Sequence, residues 1–269
     1  MRLAVVGHVE WVEFVCVRRL PTRGEIVHAA GFFEEAAGGG AVAAVQLAKL
    51  AGEADFFTVL GRDDLGRRAH EQLSALGLRL HVSWVDEPQR RAVTFLDCEG
   101  ERTITVIGNR LVPRGVDPLP WDELGRTDGV YFTGGDVQAL RAARAARVLV
   151  ATPRALETLR EGGVELDALV GSADDPAERY RVDDLDPRPG LVVATMGREG
   201  GVAQPGGHFP AAPLPGAVVD AYGAGDSFAA GLIFGLATGM ATPDALAFAS
   251  RCGAAALTGR GAYEGQLRL

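Results

Sequence analysis

The chain has 269 residues, of which 47% are hydrophobic and 23% are charged, a composition typical of a globular protein and unlike that of a disordered one. The formal net charge of −8 argues against a nucleic-acid backbone or an anionic membrane as the main partner. Its three cysteines are scattered, without a C-x-x-C pair, and so favour neither a zinc site nor a disulfide framework. We expect a cytoplasmic protein, because we find neither a signal-like apolar segment at the start nor a run long enough to span a bilayer.

The first part of the chain alternates predicted strands with glycine-rich turns. A buried strand is predicted at 3–7 and a longer extended run at 9–17. A triple glycine at 38–40 then leads into a helix of small and apolar residues that ends near Gly52. These patterns indicate short β-elements around an early buried helix.

A strand at 56–61 is followed by two adjacent acids, Asp63 and Asp64, and an amphipathic helix that ends at Gly77. The acids are interpreted either as paired catalytic carboxylates or as helix-capping charges, and capping is favoured. Further along, residues 91–97 and 102–107 alternate apolar and polar side chains around a turn at 98–100, which predicts a β-hairpin.

Three more strand-like runs, at 129–135, 147–152 and 166–171, are separated by helical segments. Strands that alternate with helices favour a parallel sheet with helices on both faces. The predicted fold class is therefore α/β, with a doubly wound, mostly parallel sheet.

The most informative stretch is 218–228. A β-branched pair runs into a turn with Gly223 and Gly225, and an apolar helix follows from Asp226, which predicts strand, glycine turn and helix N-terminus. The first amides of a helix have no internal partner and lie at the positive end of its dipole, so this turn is able to hold a phosphate. The two glycines allow close backbone approach and positive φ.

Asp226 has two interpretations on this local pattern. On the first, it is an ordinary N-cap aspartate, which the short G-A-G-D pattern alone favours. On the second, it is a general base that takes a proton from an attacking hydroxyl while the neighbouring amides stabilise charge on a transferring phosphoryl group.

Residues 220–226 match throughout the second signature of the ribokinase-like (PfkB) carbohydrate kinases, which in words is Asp, a small residue, any residue, Gly, Ala, Gly, Asp. Residues 249–262 are similar to that family's closing helix and the loop near its nucleotide. The resemblance implies a ribokinase-like fold and a kinase that transfers the γ-phosphoryl group of ATP to a hydroxyl of a small sugar or sugar-like substrate. It also implies Mg²⁺ and a monovalent cation as cofactors.

The resemblance assigns roles around the signature. Asp226 would be the catalytic base. The anion hole would consist of the backbone amides of Ala224 and Gly225, in the catalytic turn that begins at Gly223. Asp220 would support the loop and its cation.

Nucleotide binding is implied at two further places. Thr195, Gly197 and Gly200 lie in a strand and turn similar to the family's Thr-x-Gly-x-x-Gly loop. Gly253 lies in the segment similar to the closing helix. These four residues are the predicted nucleotide contacts beside Asp220.

The predicted metal residue is Asp175. The family's Asn-x-x-Glu motif, which helps to organise Mg²⁺, aligns here with Ser172 and Asp175. The shorter carboxylate is still able to hold a water of the metal. The alternative, an acid that starts a helix before Pro176, is at least equally favoured.

The acceptor site departs from the family pattern. Gly38, Gly39 and Gly40 resemble the first signature, where backbone glycines approach the substrate. The asparagine that usually follows is replaced by Val42 or Ala43. The substrate is therefore not fixed by this motif.

A second departure lies in the first extended run. Glu10 and Val12 stand where the family commonly has an asparagine and an aspartate that hold sugar hydroxyls. Either Glu10 or Glu13 is able to accept from hydroxyls in their place, or both glutamates are surface charges of the lid. These departures leave two alternatives open: a catalytically silent ligand- or nucleotide-binding relative, and a nucleoside kinase of the same family.

The whole chain, 1–269, is predicted to be one α/β domain, with a β-sheet lid formed by about 9–36 and 88–108. The resemblance further implies a small-molecule substrate and a homodimer. A classical P-loop kinase and a dinucleotide-binding Rossmann enzyme are not supported, because neither glycine motif occurs at the required place.

Overall fold

In the computed structural model, which describes residues 1–98 and 100–269, the strands form two separate sheets. In chain order the strands are β1 (Leu3–Val6), β2 (Glu10–Cys16), β3 (Gly31–Ala37), β4 (Ala54–Gly61), β5 (Leu78–Val85), β6 (Arg91–Leu96), β7 (Arg102–Ile107), β8 (Gly129–Phe132), β9 (Val148–Ala151), β10 (Ala168–Ser172), β11 (Leu191–Thr195), β12 (Gly201–Gln204) and β13 (Gly207–Phe209). The α-helices are α1 (Gly39–Ala51), α2 (Asp64–Ala75), α3 (Val137–Ala143), α4 (Leu156–Gly162), α5 (Ala224–Ala237) and α6 (Thr242–Ala256).

The larger sheet, here the main sheet, has nine strands in the order β13-β12-β11-β10-β9-β8-β1-β4-β5. Its strands from β11 to β5 pair in parallel, and β12 and β13 add an antiparallel edge. The predicted doubly wound, mostly parallel α/β class is confirmed. Strand order reverses at β1, which lies between β8 and β4, and such a switch point opens a crevice at the carboxyl ends of the strands.

Both faces of the main sheet are buried, as β1 shows. Leu3 and Val5 belong to one core with α1, α2, α5 and α6, whereas Ala4 and Val6 belong to the other core with α3 and α4. Because side chains alternate along a strand, an unbroken apolar run supplies both cores at once.

The second sheet, here the small sheet, has four strands in the order β3-β2-β6-β7. The predicted hairpin is confirmed as β6 and β7, and β2 pairs in parallel with β6 and antiparallel with β3. The predicted turn at 98–100 includes residue 99, which lies outside the described residues. Val12, Phe14 and Ala92 join the core that contains α1, so the inner face of the small sheet packs on the rest of the protein.

One predicted strand is wrong. Val218 and Val219 pair with no strand that the structure describes, and their exposed fractions are 46% and 50%. The amide of Val219 instead donates to the carbonyl of Leu257, and that of Ala221 donates to Gly100. The β-branched pair favours extended backbone, but strand formation also needs a neighbour, and the chain here crosses between the small sheet and the end of α6.

Asp63 is a helix cap, as favoured from the sequence. Its Oδ1 accepts from the amide of Gly66 at 2.9 Å, in the first turn of α2, and its Oδ2 accepts from the amide of Gln89 at 2.9 Å. No helix within 1–98 or 100–269 is both long and apolar enough to cross a membrane.

A buried ion cluster lies near the amino end of β4. Asp55 accepts from Arg79 Nε at 2.5 Å and Nη2 at 2.9 Å, and its Oδ1 is 2.7 Å from Nε2 of His81. Burial by itself would raise the pKa of Asp55, but the hydrogen bonds from His81 and Arg79 outweigh it and lower the pKa.

We expect Asp55→Asn to lower the free energy of unfolding at pH 7 by about 1–3 kcal/mol, because it removes charge-assisted hydrogen bonds from a buried group. A carboxyl whose folded pKa is depressed stabilises the protein above its unfolded pKa and loses that effect as pH falls through the folded value. Urea unfolding should therefore show a wild-type advantage that shrinks on acidification. Asp86→Asn, which removes an exposed partner of Arg62, is the control and should be neutral; an equal effect of both variants would contradict the assignment.

Candidate active site

The cleft at the carboxyl ends of β1 and β8 is built on the close approach of α1 to the strand ends. A Cβ on Gly40 would lie 2.7 Å from the carbonyl oxygen of His8 and 2.9 Å from its amide nitrogen. Gly38, with φ of 88°, is the cap that turns the chain into α1. Only glycine allows this approach, so the triple glycine sets where α1 meets the end of β1.

The signature stretch forms the start of α5. Gly223 is the N-cap residue, in the left-handed region with φ of 76° and ψ of 5°, and it makes no side-chain cap bond. The first amides of α5, from Ala224 onward, therefore point out of the helix without an intrahelical partner. A Cβ built on Gly225 would meet no described atom within 4 Å, which leaves room for an anion against these amides.

Asp226 is not the N-cap, so the local interpretation as a capping aspartate is wrong. The residue lies in the first turn of α5, three positions after Gly223. A Cβ on Gly39 would lie 2.8 Å from its Oδ1, so the carboxylate sits against the start of α1. The two glycine turns thus meet at this side chain.

The electrostatics of Asp226 suit a proton acceptor. Desolvation in the cleft raises its pKa to about 6, and the negative charge of Glu178 adds to the rise, whereas Arg102 and Arg154 oppose it. The residue keeps partial solvent exposure, so a hydroxyl group is able to reach it. A carboxyl with this pKa is mostly ionised at pH 7 yet accepts a proton more readily than an ordinary aspartate.

Glu178 was not identified from the sequence. Its Oε2 accepts from the amide of Ser172 at 2.7 Å, and its Oε1 accepts from Arg154 Nε at 2.6 Å. It follows Asp175 by three residues, in a short 3-10 turn at Pro176–Glu178. No local pattern marks it, because its position beside Asp226 depends on how this turn folds back onto β10.

Asp175, the predicted metal residue, caps that 3-10 turn. Its Oδ1 accepts from the amide of Ala177 at 2.9 Å, and its Oδ2 pairs with Arg154. This is the helix-start alternative that the sequence left open. Its role toward a metal stays a prediction.

Asp220 is buried, and both of its oxygens accept backbone amides. Oδ1 accepts from Tyr222 at 2.8 Å, and Oδ2 accepts from Gly261 at 3.0 Å. The hydroxyl of Tyr222 in turn accepts from the amide of Gly38 at 3.2 Å. These hydrogen bonds link the signature, the closing segment and the first glycine turn, and the role of Asp220 toward a nucleotide or cation stays a prediction.

The predicted nucleotide residues fall into two groups. Thr195 ends β11 opposite Ser172 of β10, and Gly197 and Gly200 follow it with φ of 53° and 85°. Gly253 lies on α6, where a Cβ would be 3.3 Å from the carbonyl oxygen of Ala224. The structure thus brings Gly253 against the first residue of α5. It places the first group at the carboxyl end of β11.

Glu10 is buried, so its interpretation as a surface charge is wrong. Its Oε1 lies 2.7 Å from Nε of Arg90 and 3.6 Å from Nε2 of His8. Burial raises its pKa, but the hydrogen bond from His8 and the charges around it outweigh this and lower the pKa. Glu13, by contrast, pairs with Arg91 and is partly exposed. The sequence analysis gave no signal for Arg90, which lies before β6 and far from Glu10 in the chain.

A family model described as pfkB family carbohydrate kinase matches residues 1–158 and 164–268. The chain belongs to the pfkB family of carbohydrate kinases. The predicted family is therefore confirmed, and with it the reaction class, phosphoryl transfer to a hydroxyl group.

Relatives of this carbohydrate kinase include proteins with different named acceptors. It is 30% identical to the ATP-dependent ribose-1-phosphate kinase of Halopiger xanaduensis, over 94% of this chain and 91% of that protein. It is also 30% identical to the fructokinase of Klebsiella pneumoniae, over 83% of this chain and 87% of that protein. Among solved structures, the Arabidopsis thaliana ribokinase complexed with ribose and ATP has a TM-score of 0.73 at 22% identity, over 99% of this chain and 96% of that chain. That likeness establishes the ribokinase-like fold.

The donor set of this kinase fits magnesium held mainly through water and phosphate. No group of three or more histidine, cysteine or acidic side chains in the described part of the chain is arranged to hold a metal. Mg²⁺ in phosphotransferases is commonly bound by one or two carboxylates together with phosphate oxygens and waters. Asp175 and Glu178, which share Arg154 as a partner, supply such a pair.

We expect kcat/KM of the kinase for its acceptor to fall on the acid side with a pKa of about 6, because the raised pKa of Asp226 leaves it protonated below that pH. The pH profile of kcat/KM measures this effect. Glu178→Gln removes a charge that raises this pKa, so the pKa of Asp226 in the metal-free protein, followed by NMR of its carboxyl carbon, should fall in the variant.

Glu161→Gln, at an exposed position on α4, is the matched control and should leave the pKa of Asp226 unchanged. A pKa of Asp226 that stays fixed or rises in metal-free Glu178→Gln would show that Glu178 does not act on the base.

Proposed function

We propose that this protein transfers the γ-phosphoryl group of ATP to a hydroxyl of a small sugar or sugar-like acceptor, with Asp226 as general base. The observation that carries the proposal is the placement of Asp226 in the first turn of α5, beside outward-facing amides and with its pKa raised to about 6. The acceptor hydroxyl would lie between this carboxylate and the terminal phosphate. Ribose 1-phosphate and fructose, for which two relatives are named, are acceptors to test first.

The proposed transfer forms one bond, breaks one bond and moves one proton. The acceptor oxygen forms a bond to the γ-phosphorus, the bond from that phosphorus to the β-phosphate oxygen breaks, and the acceptor proton passes to Asp226. The amides of Gly223, Ala224 and Gly225 would stabilise the charge on the transferring group. They need no reorganisation, because Asp220 and Gly223 already fix the turn.

We place the nucleotide along Thr195, Gly197, Gly200 and Gly253, with Asp220 behind the loop. Mg²⁺, held through Asp175 and Glu178, would offset the negative charge of the phosphates. A monovalent cation near the Asp220 loop belongs to the same proposal.

We propose that the small sheet acts as a lid that excludes water from the cleft. Arg102, on β7, donates to the carbonyl of Ala221 in the signature loop, and its charge lowers the pKa of Asp226. The small sheet therefore already contacts the loop that carries the base. The protein as a whole is proposed to form one domain, 1–269, that works in the cytoplasm.

The proposed homodimer forms through the outer face of the small sheet. That face carries Phe32 on β3 and Ile107 on β7, with exposed fractions of 57% and 45%. Large exposed apolar side chains on one face are typical of an interaction surface. A second copy of the chain is the proposed occupant.

We expect Asp226→Asn to lower turnover by about 10²- to 10⁴-fold, because the variant cannot accept the acceptor proton. ATP binding, measured by calorimetry, should be retained, since the amides of α5 are unchanged. The assay uses Mg-ATP with neutral sugars, sugar phosphates, sugar acids and nucleosides. Asp244→Asn, exposed at the start of α6, is the control.

Turnover in Asp226→Asn within about threefold of wild type would exclude it as the base, given the usual size of general-base effects. ATP binding without turnover in wild type on every acceptor would instead favour the catalytically silent alternative.

We expect light scattering after size exclusion to give the mass of a dimer for wild type and a monomer for Phe32→Asp, because a carboxylate on the apolar face opposes its burial. Val116→Asp changes another exposed apolar residue, 71% exposed and outside the small sheet, and should leave the mass unchanged. A monomeric wild type at working concentration would overturn the dimer.

A further inference from the structure

The basic cluster, formed by His8, Glu10, Arg90 and Arg110, lies beside the proposed acceptor site. A Cβ on Gly38 would lie 3.1 Å from Cγ of Glu10 and 3.4 Å from Nε2 of His8, whereas one on the adjacent Gly39 would contact Asp226. The cluster and the base therefore flank neighbouring residues of the first glycine turn.

His8 is neutral at physiological pH. Burial lowers its pKa to about 4, the hydrogen bond to Glu10 opposes the fall, and the charge of Arg110 adds to it. Nη2 of Arg110 lies 3.0 Å from Nδ1 of His8, so Nδ1 is the acceptor nitrogen and Nε2 carries the proton that faces Glu10. The imidazole therefore contributes no charge to the cluster.

The cluster holds one carboxylate against two guanidinium groups. Glu10 is paired with Arg90 at 2.7 Å. Arg110 donates from Nη2 to the carbonyl of Thr133 at 2.9 Å and contacts neutral His8. Within the described residues no carboxylate lies within 4 Å of the Arg110 guanidinium, so one positive charge has no direct partner.

The unpartnered charge is also desolvated. Nε of Arg110 is buried and has no hydrogen-bond partner among the described residues, and Nε of Arg90 contacts Glu10 without hydrogen-bond geometry. Burial and the neighbouring charge of Arg90 lower the pKa of Arg110, and the charges of Glu10 and Asp226 oppose this without a direct ion pair, but a guanidinium stays protonated in proteins. A partly buried cation without an ion-pair partner is costly, and it is retained here near the proposed base.

The anion that balances this charge would come from the ligand. We propose that the acceptor carries an anionic group, a phosphate ester or a carboxylate, at the end remote from the reacting hydroxyl, and that Arg110 together with Arg90 binds it. This inference rests on the proposed function, since it names the acceptor class of the same site. Guanidinium forks match both kinds of oxyanion, and desolvation strengthens the resulting charge-assisted hydrogen bonds.

The first experiment compares neutral and anionic acceptors in the Mg-ATP assay. Suitable sets are ribose with its 1- and 5-phosphates, fructose with its 1- and 6-phosphates, and glucose with gluconate. We expect kcat/KM for the preferred anionic acceptor to exceed that for its neutral counterpart by about 100-fold or more, the scale of two charge-assisted hydrogen bonds. Preference for phosphate esters over gluconate, or the reverse, identifies the oxyanion.

The second experiment uses variants of Arg110. Arg110→Gln should lower kcat/KM for the anionic acceptor by about 10- to 100-fold more than it lowers that for the neutral sugar, because it removes a charge that pairs directly only with the anion. Arg110→Lys keeps the charge but not the fork and should lose less than Arg110→Gln. Arg126→Gln, an exposed control, should change neither acceptor. The melting temperature reports whether each variant folds.

Equal activity on neutral and anionic acceptors, or equal losses on both in Arg110→Gln, would overturn the anion site. Failure of the proposed function would give a different result, namely no transfer to any acceptor. In that case calorimetry with the same sugar phosphates tests the anion site alone. Binding to wild type that Arg110→Gln abolishes supports the anion site without catalysis, and absence of binding refutes it.

Discussion

The buried carboxylate of Asp220 accepts two backbone amides, one from Tyr222 and one from Gly261, at 2.8 Å and 3.0 Å. The geometry of the site depends on this arrangement. The first bond closes the turn that leads to the N-cap of α5, and the second ties that turn to the closing segment of the chain. Through the hydroxyl of Tyr222 the same turn holds the amide of Gly38. Because burial raises the pKa of Asp220, both oxygens need these donors to remain in the fold as an anion.

The cleft differs in charge from the protein that surrounds it. The chain carries a formal net charge of −8, yet Arg102 and Arg154 act on Asp226, and Arg90 and Arg110 contact Glu10 and His8 nearby. Net charge governs long-range association, whereas binding in a cleft depends on the few charges within several ångströms. An acidic protein is therefore able to hold several arginines around one site, and a phosphoryl-transfer site needs such positive charges.

The base is tuned by groups from different parts of the chain. Desolvation by the surrounding protein and the charge of Glu178 raise the pKa of Asp226, and the charges of two arginines, Arg102 and Arg154, oppose this rise. The helix start by itself would favour the ionised carboxylate. The balance gives a carboxylate that is ionised at neutral pH and still basic enough to accept a proton. This balance links the fold to the proposed chemistry.

Sequence patterns predict the α/β class, the β6-β7 hairpin, the helix cap at Asp63 and the family signature around Asp226. Each depends on a short, local pattern: alternation along a strand, a side chain that accepts the next turn's amide, or a glycine turn before a helix. The predicted strand at Val218–Val219 is wrong, because a preference for extended backbone does not provide a neighbouring strand to pair with. Glu178, Arg90 and Arg110 became evident from the fold, since they come from segments with no local motif. It also showed that Glu10 is buried beside a guanidinium, because burial and charge pairing depend on which segments the parallel sheet brings to its carboxyl edge.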